Sequence, residues 1–281
     1  MLSTSNKIRI ARSISTAILW GRRLFHLPSE LTAVRRGVTW SIDLKEGIDL
    51  AIYILGGFEV QTLKLYTQLV KEGDVVLDIG ANIGAHTLPF AQLVGARGKV
   101  FSFEPTAFAF GKQKANIALN PTLAPRISAH QMMLMATSNT KLPDAVYSSW
   151  PLETTSDLHL EHHGRLMGTV GAAMSTLDEF VSANGIDRID FIKLDVDGNE
   201  SDVLLGAKAT IIKYQPKILL ELAPYVYKSQ PEKFDAILNS LWSVGYEISD
   251  VARNRKLPRN PDFVRSIIPI GGGLNVLATC D

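Results

Sequence analysis

From residue 74 onward, short apolar runs punctuated by glycine or proline alternate with longer amphipathic stretches. VVLDIG (75–80), KVFSFEP (99–105), RISAHQMMLM (126–135), IDFIKLDV (189–196) and PKILLEL (216–222) read as strands. Each is a brief apolar or β-branched run bounded by turn residues, as a buried strand requires. HTLPFAQLVG (86–95), AFAFGKQKANIALN (107–120), STLDEFVSANG (175–185), the stretch from Glu200 to Tyr214 and PEKFDAILNSLWSVG (231–245) read as helices. Ser175 or Thr176 is the expected N-cap of the third of these. YEISDVA and LNVLATC close the chain as a candidate antiparallel hairpin. The pattern predicts an α/β fold, a doubly wound, mostly parallel seven-stranded sheet with an antiparallel C-terminal hairpin. Residues 137 to 172 break the rhythm with polar, turn-rich sequence and suggest an insertion or hairpin over one sheet edge.

Composition narrows this picture little. With 46% hydrophobic and 20% charged residues the chain falls outside the disordered and fibrous classes, and a net charge of +1 gives no reason to expect nucleic acid as a partner. One cysteine, Cys280, fits a reducing compartment. No apolar run approaches the roughly 18 residues of a spanning helix, so a cytoplasmic protein is expected.

The N-terminus is less neutral. Lys7, Arg9, Arg12, Arg22 and Arg23 precede the first acid, Glu30, with Ile8, Ile10, Ile14, Ile18 and Leu19 among them. Such a segment could lie on an anionic membrane as a basic amphipathic helix, giving peripheral membrane contact, or act as a presequence. Without a signal-like apolar core, packing on the domain with the charges in water is favoured. Residues 1–40 are therefore read as a basic helical extension and 41–281 as the main domain, with the insertion at about 137–172.

Chemistry concentrates at two strand ends. The first strand leads into Asp78-Ile79-Gly80-Ala81-Asn82-Ile83-Gly84, a turn whose glycines let backbone approach a ligand before a helix starts. A dinucleotide fingerprint needs glycine two positions after the first, to admit the pyrophosphate. Here that position is Asn82, and Asp78 adds a negative charge nearby. The loop therefore suits a ligand with a cationic end. Glu104 closes the next strand 26 residues later, where an acid can accept hydrogen bonds from both ribose hydroxyls. A nucleoside with a cationic amino-acid tail describes S-adenosylmethionine.

The second strand end is FIKLDVDGNE (191–200), with Asp195, Asp197 and Glu200 around Gly198. Lys193 and Asp195 share one strand face, and a lysine in an apolar strand must reach an acid, here Asp195, Asp78 or Glu221. Asp197 and Gly198 read as turn residues, Asn199 as a helix cap and Glu200 as a first-turn acid favoured by the helix dipole. Three carboxylates would accept a hard divalent ion, but no fourth ligand is evident and a metal is not favoured. His86, after the glycine loop, could act as a base, and His162 and His163 could reach an acceptor.

VVLDIGANIGAHT, FSFEP, STLDEF, FIKLDVDGNESDVLLGA and PKILLEL, in this order, closely resemble the FkbM-type methyltransferases. GGFEVQTLKLYTQLVKEGDVVLDIGANIG looks like that family's approach segment, and the resemblance runs over about residues 40 to 225. It implies the class I, Rossmann-like methyltransferase fold and S-adenosylmethionine as cofactor. It also implies O-methylation of a sugar, glycan or natural-product hydroxyl by in-line methyl transfer. By resemblance Asp78, Gly80, Ala81, Asn82 and Gly84 cradle the methionine part, Glu104 with Pro105 beside it takes the ribose, and Met135 and Ala136 wall the adenine. Asp195 would face the sulfonium methyl group as first catalytic candidate, with His86 and Glu221 as alternates and Lys193 orienting the carboxylates. The chain departs from the usual D-V-E-G-A-E motif by carrying Asp197 and Asn199, and residues 137–172 leave the acceptor open. An NAD-dependent oxidoreductase and a non-catalytic cofactor-binding module are the rival readings.

Overall fold

Successive residues of the central strands point to opposite faces of one sheet, and both faces are apolar, so helices cover both. The computed structural model describes residues 4–148, 151–152 and 164–280. The chain opens with helix α1 (Thr4–Leu24), the antiparallel strands β1 (Glu30–Arg35) and β2 (Val38–Asp43), and helices α2 (Gly47–Leu55) and α3 (Val60–Leu69). The alternating part begins with β3 (Val75–Ile79), α4 (Thr87–Leu93), β4 (Lys99–Phe103), α5 (Ala107–Ala118) and β5 (Ile127–His130). Short strands β6 (Met132–Leu134), β7 (Ala145–Ser148), β8 (Arg165–Gly168) and β9 (Ala173–Ser175) follow. Alternation resumes with α6 (Leu177–Ala183), β10 (Phe191–Leu194), α7 (Glu200–Leu205), α8 (Lys208–Tyr214), β11 (Lys217–Leu222) and α9 (Pro231–Ser243). The chain ends through β12 (Glu247–Asp250), β13 (Arg255–Lys256), α10 (Pro261–Ser266) and β14 (Leu274–Thr279).

The main sheet runs β13-β12-β14-β11-β10-β3-β4-β5. The five strands from β5 to β11 are parallel, and β14 is antiparallel to both its neighbours. All seven expected strands are present, and two-residue β13 adds an eighth at the edge. The antiparallel C-terminal pair has an inserted geometry: β14 enters between β11 and β12 instead of folding back at the rim. On one face Leu77, Ile79, Ile192, Leu194, Ile218 and Leu220 pack with Phe180, Ile211, Phe234 and Leu238. On the other Val76, Val100, Phe191 and Leu219 pack with Tyr66 and Phe90. This alternation is the signature of a doubly wound sheet. Its order reverses between β3 and β10, and the crevice beyond their carboxyl ends is the expected ligand site.

Two local expectations change. The strand expected over 126–135 divides at Gln131, because β6 leaves the main sheet and pairs in parallel with β9. Gln131 secures the break by donating its amide to the Val170 carbonyl at 2.8 Å. The helix expected from Glu200 to Tyr214 divides at Gly206, where an added Cβ would overlap the Met135 carbonyl oxygen. The Gly206 carbonyl instead accepts from Asp178 N–H at 2.9 Å, and the Asp178 carboxylate accepts from Ala209 and Thr210 N–H, which restarts the helix as α8. In the 137–172 region, β7 and β8 form their own antiparallel pair and do not join the main sheet. Thr176 is the N-cap of α6, in a capping box with Glu179.

Candidate active site

β3, β4, β10 and β11 lie side by side, and the segments leaving their carboxyl ends enclose a cavity of about 450 Å3. Gly80 makes the crevice: its φ is +82°, and a Cβ there would overlap the Asp195 carbonyl oxygen. Only glycine lets the tips of β3 and β10 approach this closely. Gly80 and Ala81 N–H both donate to the Phe103 carbonyl, at 3.0 and 2.9 Å. Asn82, left-handed at φ 48°, donates its backbone N–H to Glu104 Oε2 at 3.0 Å and its side-chain amide to Ser148 Oγ at 3.2 Å. The amides that a dinucleotide loop would offer to phosphate are therefore spent on the end of β4, and a side chain fills the space. Glu104 is buried and also accepts from Thr106 N–H at 2.9 Å. Burial pushes its pKa up against the pull of the Thr106 and Asn82 hydrogen bonds and the Lys193 charge.

The strand register assembles the charged centre. Lys193 of β10 stands opposite Asp78 of β3 and Leu219 of β11. Its ammonium donates to the Gly80 carbonyl at 3.1 Å and lies 3.2 Å from Asp195 Oδ2 and 3.8 Å from Asp78 Oδ1. Burial works against the charge on Lys193, but Asp195, Asp78 and Glu59 outweigh it and hold the pKa above the ordinary lysine value. Asp78 is fully buried behind the loop, where Thr87 donates to it at 2.6 Å. It therefore holds Lys193 and does not line the cavity, contrary to its expected place at the cofactor. Glu221 lines the cavity, leaning over Gly273, and the ion pairs of Lys193 are with Asp195 and Asp78, Glu59 acting at longer range. Its pKa is raised by burial and by the neighbouring carboxylates Asp195, Glu59, Asp197 and Glu200.

His86 lines the cavity from the start of α4 and is buried. Its Nδ1 lies 3.1 Å from the Tyr66 hydroxyl and its Nε2 4.0 Å from Glu59 Oε2. The Tyr66 hydroxyl and Nδ1 share one hydrogen bond, and Nε2 is buried on the Glu59 side of the ring. Burial, helped by the Lys193 charge, lowers the His86 pKa well below the ordinary value.

The acidic turn after β10 divides by role. Asp195 faces the cavity, its side chain 32% exposed and tied to Lys193. Asp197 sits exposed at the rim in a left-handed conformation, φ 49°. Glu200 folds back under the turn, accepting from Val196 and Gly198 N–H at 3.0 and 3.1 Å and from the Tyr227 hydroxyl. Asn199 occupies the N-cap position of α7, but its amide reaches the Val196 carbonyl at 3.4 Å and caps nothing.

Of the expected cofactor residues, Gly80, Ala81, Asn82, Glu104 and Pro105 line the cavity. Gly84 lies behind the loop against Gln113. Met135 and Ala136 fall outside the lining, because Met135 turns its backbone to Ser175 and Gly206; Met132, Met133 and Leu134 form the apolar wall instead. Sequence reasoning missed Phe58, Glu59, Tyr147, Ser148, Tyr227 and Lys233, which close the cavity from elements far apart in the chain. Glu59 alone carried a signal, since GGFEV reads as a sharp entry to a helix and Glu59 is left-handed at φ 49°. His162 and His163 lie outside the described residues. Among the described residues no group of three or more His, Cys, Asp or Glu is arranged to hold a metal ion.

The cavity is acidic. Glu59, Glu104, Asp195 and Asp197 line it against Lys193 and Lys233, with Lys233 paired with Asp202 at 2.9 Å, while Glu221, its pKa pushed up to about 8, adds a carboxyl that keeps its proton at neutral pH. This field suits a cationic ligand and opposes a pyrophosphate.

Comparison with known proteins agrees with this chemistry. The chain is 29% identical over 162 residues to the 2-O-methyltransferase NoeI of Sinorhizobium fredii (strain NBRC 101917 / NGR234), a match covering 54% of this chain and 66% of that protein. It is 26% identical over 149 residues to the hexuronic acid methyltransferase AglP of Haloferax volcanii, covering 53% and 56%. The chain thus spans between half and two thirds of the length of these relatives. The crystal structure of methyltransferase FkbM from Methylobacillus flagellatus KT superposes with a TM-score of 0.45 at 15% identity, over 77% of this chain and 50% of that one. Residues 78–248, more than half of the chain, match the methyltransferase FkbM domain, and the protein belongs to that family.

Proposed function

We propose that the protein transfers a methyl group from S-adenosylmethionine to a hydroxyl oxygen of a sugar or glycan. The observation that carries this reading is the acid-lined crevice at the sheet's switch point, closed to pyrophosphate by Asn82 and Glu104. Gly80, Ala81, Asn82, Glu104 and Pro105 would hold the nucleoside and its tail, with Met132, Met133 and Leu134 as the apolar wall. When bound, the cofactor supplies a methyl group on a positively charged sulfur. The names of the relatives, a 2-O-methyltransferase and a hexuronic acid methyltransferase, favour a carbohydrate acceptor.

The chain's own task is to hold the acceptor oxygen in line and to receive its proton. Asp195 is the assigned base. It is a carboxylate at the cavity wall, oriented by Lys193 at 3.2 Å, while Asp78 holds the far side of the same ammonium. Glu221, with its raised pKa, keeps its own proton more readily and serves better as a hydrogen-bond donor to the acceptor. His86, held by Tyr66 at 3.1 Å and 4.0 Å from Glu59, is a positioning residue. The test uses methyl-labelled S-adenosylmethionine with a panel of hexoses, uronic acids and glycosides, scored for label on oxygen. Label transfer that falls by about 10²-fold or more in Asp195→Asn, with S-adenosylhomocysteine affinity unchanged, is expected. Full turnover in Asp195→Asn would remove Asp195 from this role.

A further inference from the structure

α1 carries two apolar faces where a helix resting on a domain needs one. The inner face packs Ala11, Ile18 and Leu19 on the core beneath, and the Ser15 hydroxyl donates to the Leu44 carbonyl at 2.7 Å. The outer face carries Ile10, Ile14, Ala17, Gly21 and Leu24 at spacings of four and three residues, which lines them along one side of the helix. Ile10, Ile14 and Leu24 are 48%, 39% and 60% exposed, with Trp20 at the stripe's edge 65% exposed. The stripe runs on into Phe25 and Leu27, 76% and 50% exposed, in the segment after the helix. Exposed apolar residues scattered singly need no explanation, but an ordered stripe flanked by two exposed aromatics does.

The charge of the whole segment selects its occupant. Residues 1–29 contain Lys7, Arg9, Arg12, Arg22 and Arg23 and no acid. A second copy docking through this face by two-fold symmetry would bring two such cationic segments together. An anionic bilayer satisfies both features, since aromatic and aliphatic tips enter the interfacial layer while arginines meet lipid phosphates. No helix among the described residues is long and apolar enough to cross a membrane, so the helix would lie in the surface plane. We infer that α1 and the Phe25–Leu27 segment form a peripheral docking surface for anionic phospholipid bilayers. This inference is independent of the methyl-transfer reading.

The test is co-sedimentation of the full chain with vesicles of phosphatidylcholine alone or of equimolar phosphatidylcholine and phosphatidylglycerol. Binding only to the anionic vesicles, weakened by salt and reduced at least about tenfold in the Trp20→Ser, Phe25→Ser double variant, is expected. Both side chains are exposed, so the variant should keep the wild-type melting temperature. The Arg9→Glu, Arg23→Glu variant should lose binding as well. Equal or no binding to the two vesicle types, or binding indifferent to both variants, overturns the inference. So does a lipid-free dimer that the Trp20→Ser, Phe25→Ser change dissociates, which would assign the face to a second copy.

Discussion

Lys193 is the residue on which the charged centre turns. In an apolar strand a lone ammonium would be costly, and the fold answers with Asp195 on one side, Asp78 on the other and the Gly80 carbonyl between them. The chain ties the glycine loop, the strand tip and the acidic turn together through this one group. His86 obeys the opposite rule: it is buried with its charged form disfavoured, so its folded pKa lies below the unfolded value. The native state then binds fewer protons than the unfolded chain. The stability this neutral imidazole contributes is complete above about pH 6.5 and is lost as pH falls below it, by roughly 1.4 kcal/mol per unit. Denaturant titrations between about pH 7 and pH 5 should show His86→Gln with the shallower pH dependence. Parallel slopes for variant and wild type would contradict burial of a neutral His86. Local chemistry makes several residue roles legible in the sequence alone. The acid at 104, the missing glycine at 82 and the need of Lys193 for an acid all follow from residue type and spacing. The buried position of Asp78 does not, because strand alternation gives a side chain's face but not its depth behind a loop.

At the scale of elements, glycine has opposite meanings at two places. Gly80 lines the cavity and is recognisable from the strand and helix around it. Gly206 interrupts what reads as one amphipathic helix, and its reason lies in the Met135 carbonyl, 71 residues earlier in the chain. In an ordinary helix interior, glycine to alanine would gain about 0.5–1 kcal/mol. Here the added Cβ meets backbone, so Gly206→Ala should lose about 1–3 kcal/mol, read from chemical denaturation. A stabilised variant would show that the break between α7 and α8 is not enforced by the segment leaving β6. The same long-range cause decides the cavity lining: the chain turns at Gln131 to pair with β9, which puts residues 132–134 and not 135–136 at the cavity wall. Pairing between short strands this far apart leaves no mark in a local window. The cavity's outer wall was illegible for a related reason, since Phe58, Tyr147 and Tyr227 come from three separate segments and share no motif.

For the molecule as a whole, the alternation of apolar runs carried the architecture. Seven strands, their mostly parallel arrangement and the antiparallel end all follow from periodicity and turn chemistry, because a doubly wound sheet buries both faces of each strand. The insertion of β14 between β11 and β12 is a topological choice that strand patterns alone do not make. The crevice this sheet opens is acidic, and the account stands on the claim that the acid selects a nucleoside with a cationic tail. Calorimetric titration of the purified chain with S-adenosylmethionine and with NADH tests that claim most directly. Saturable one-to-one binding of S-adenosylmethionine, weakened at least about tenfold in Glu104→Ala, with no heat from NADH, is the predicted result. Binding of NADH in preference to S-adenosylmethionine, or of neither, would contradict it.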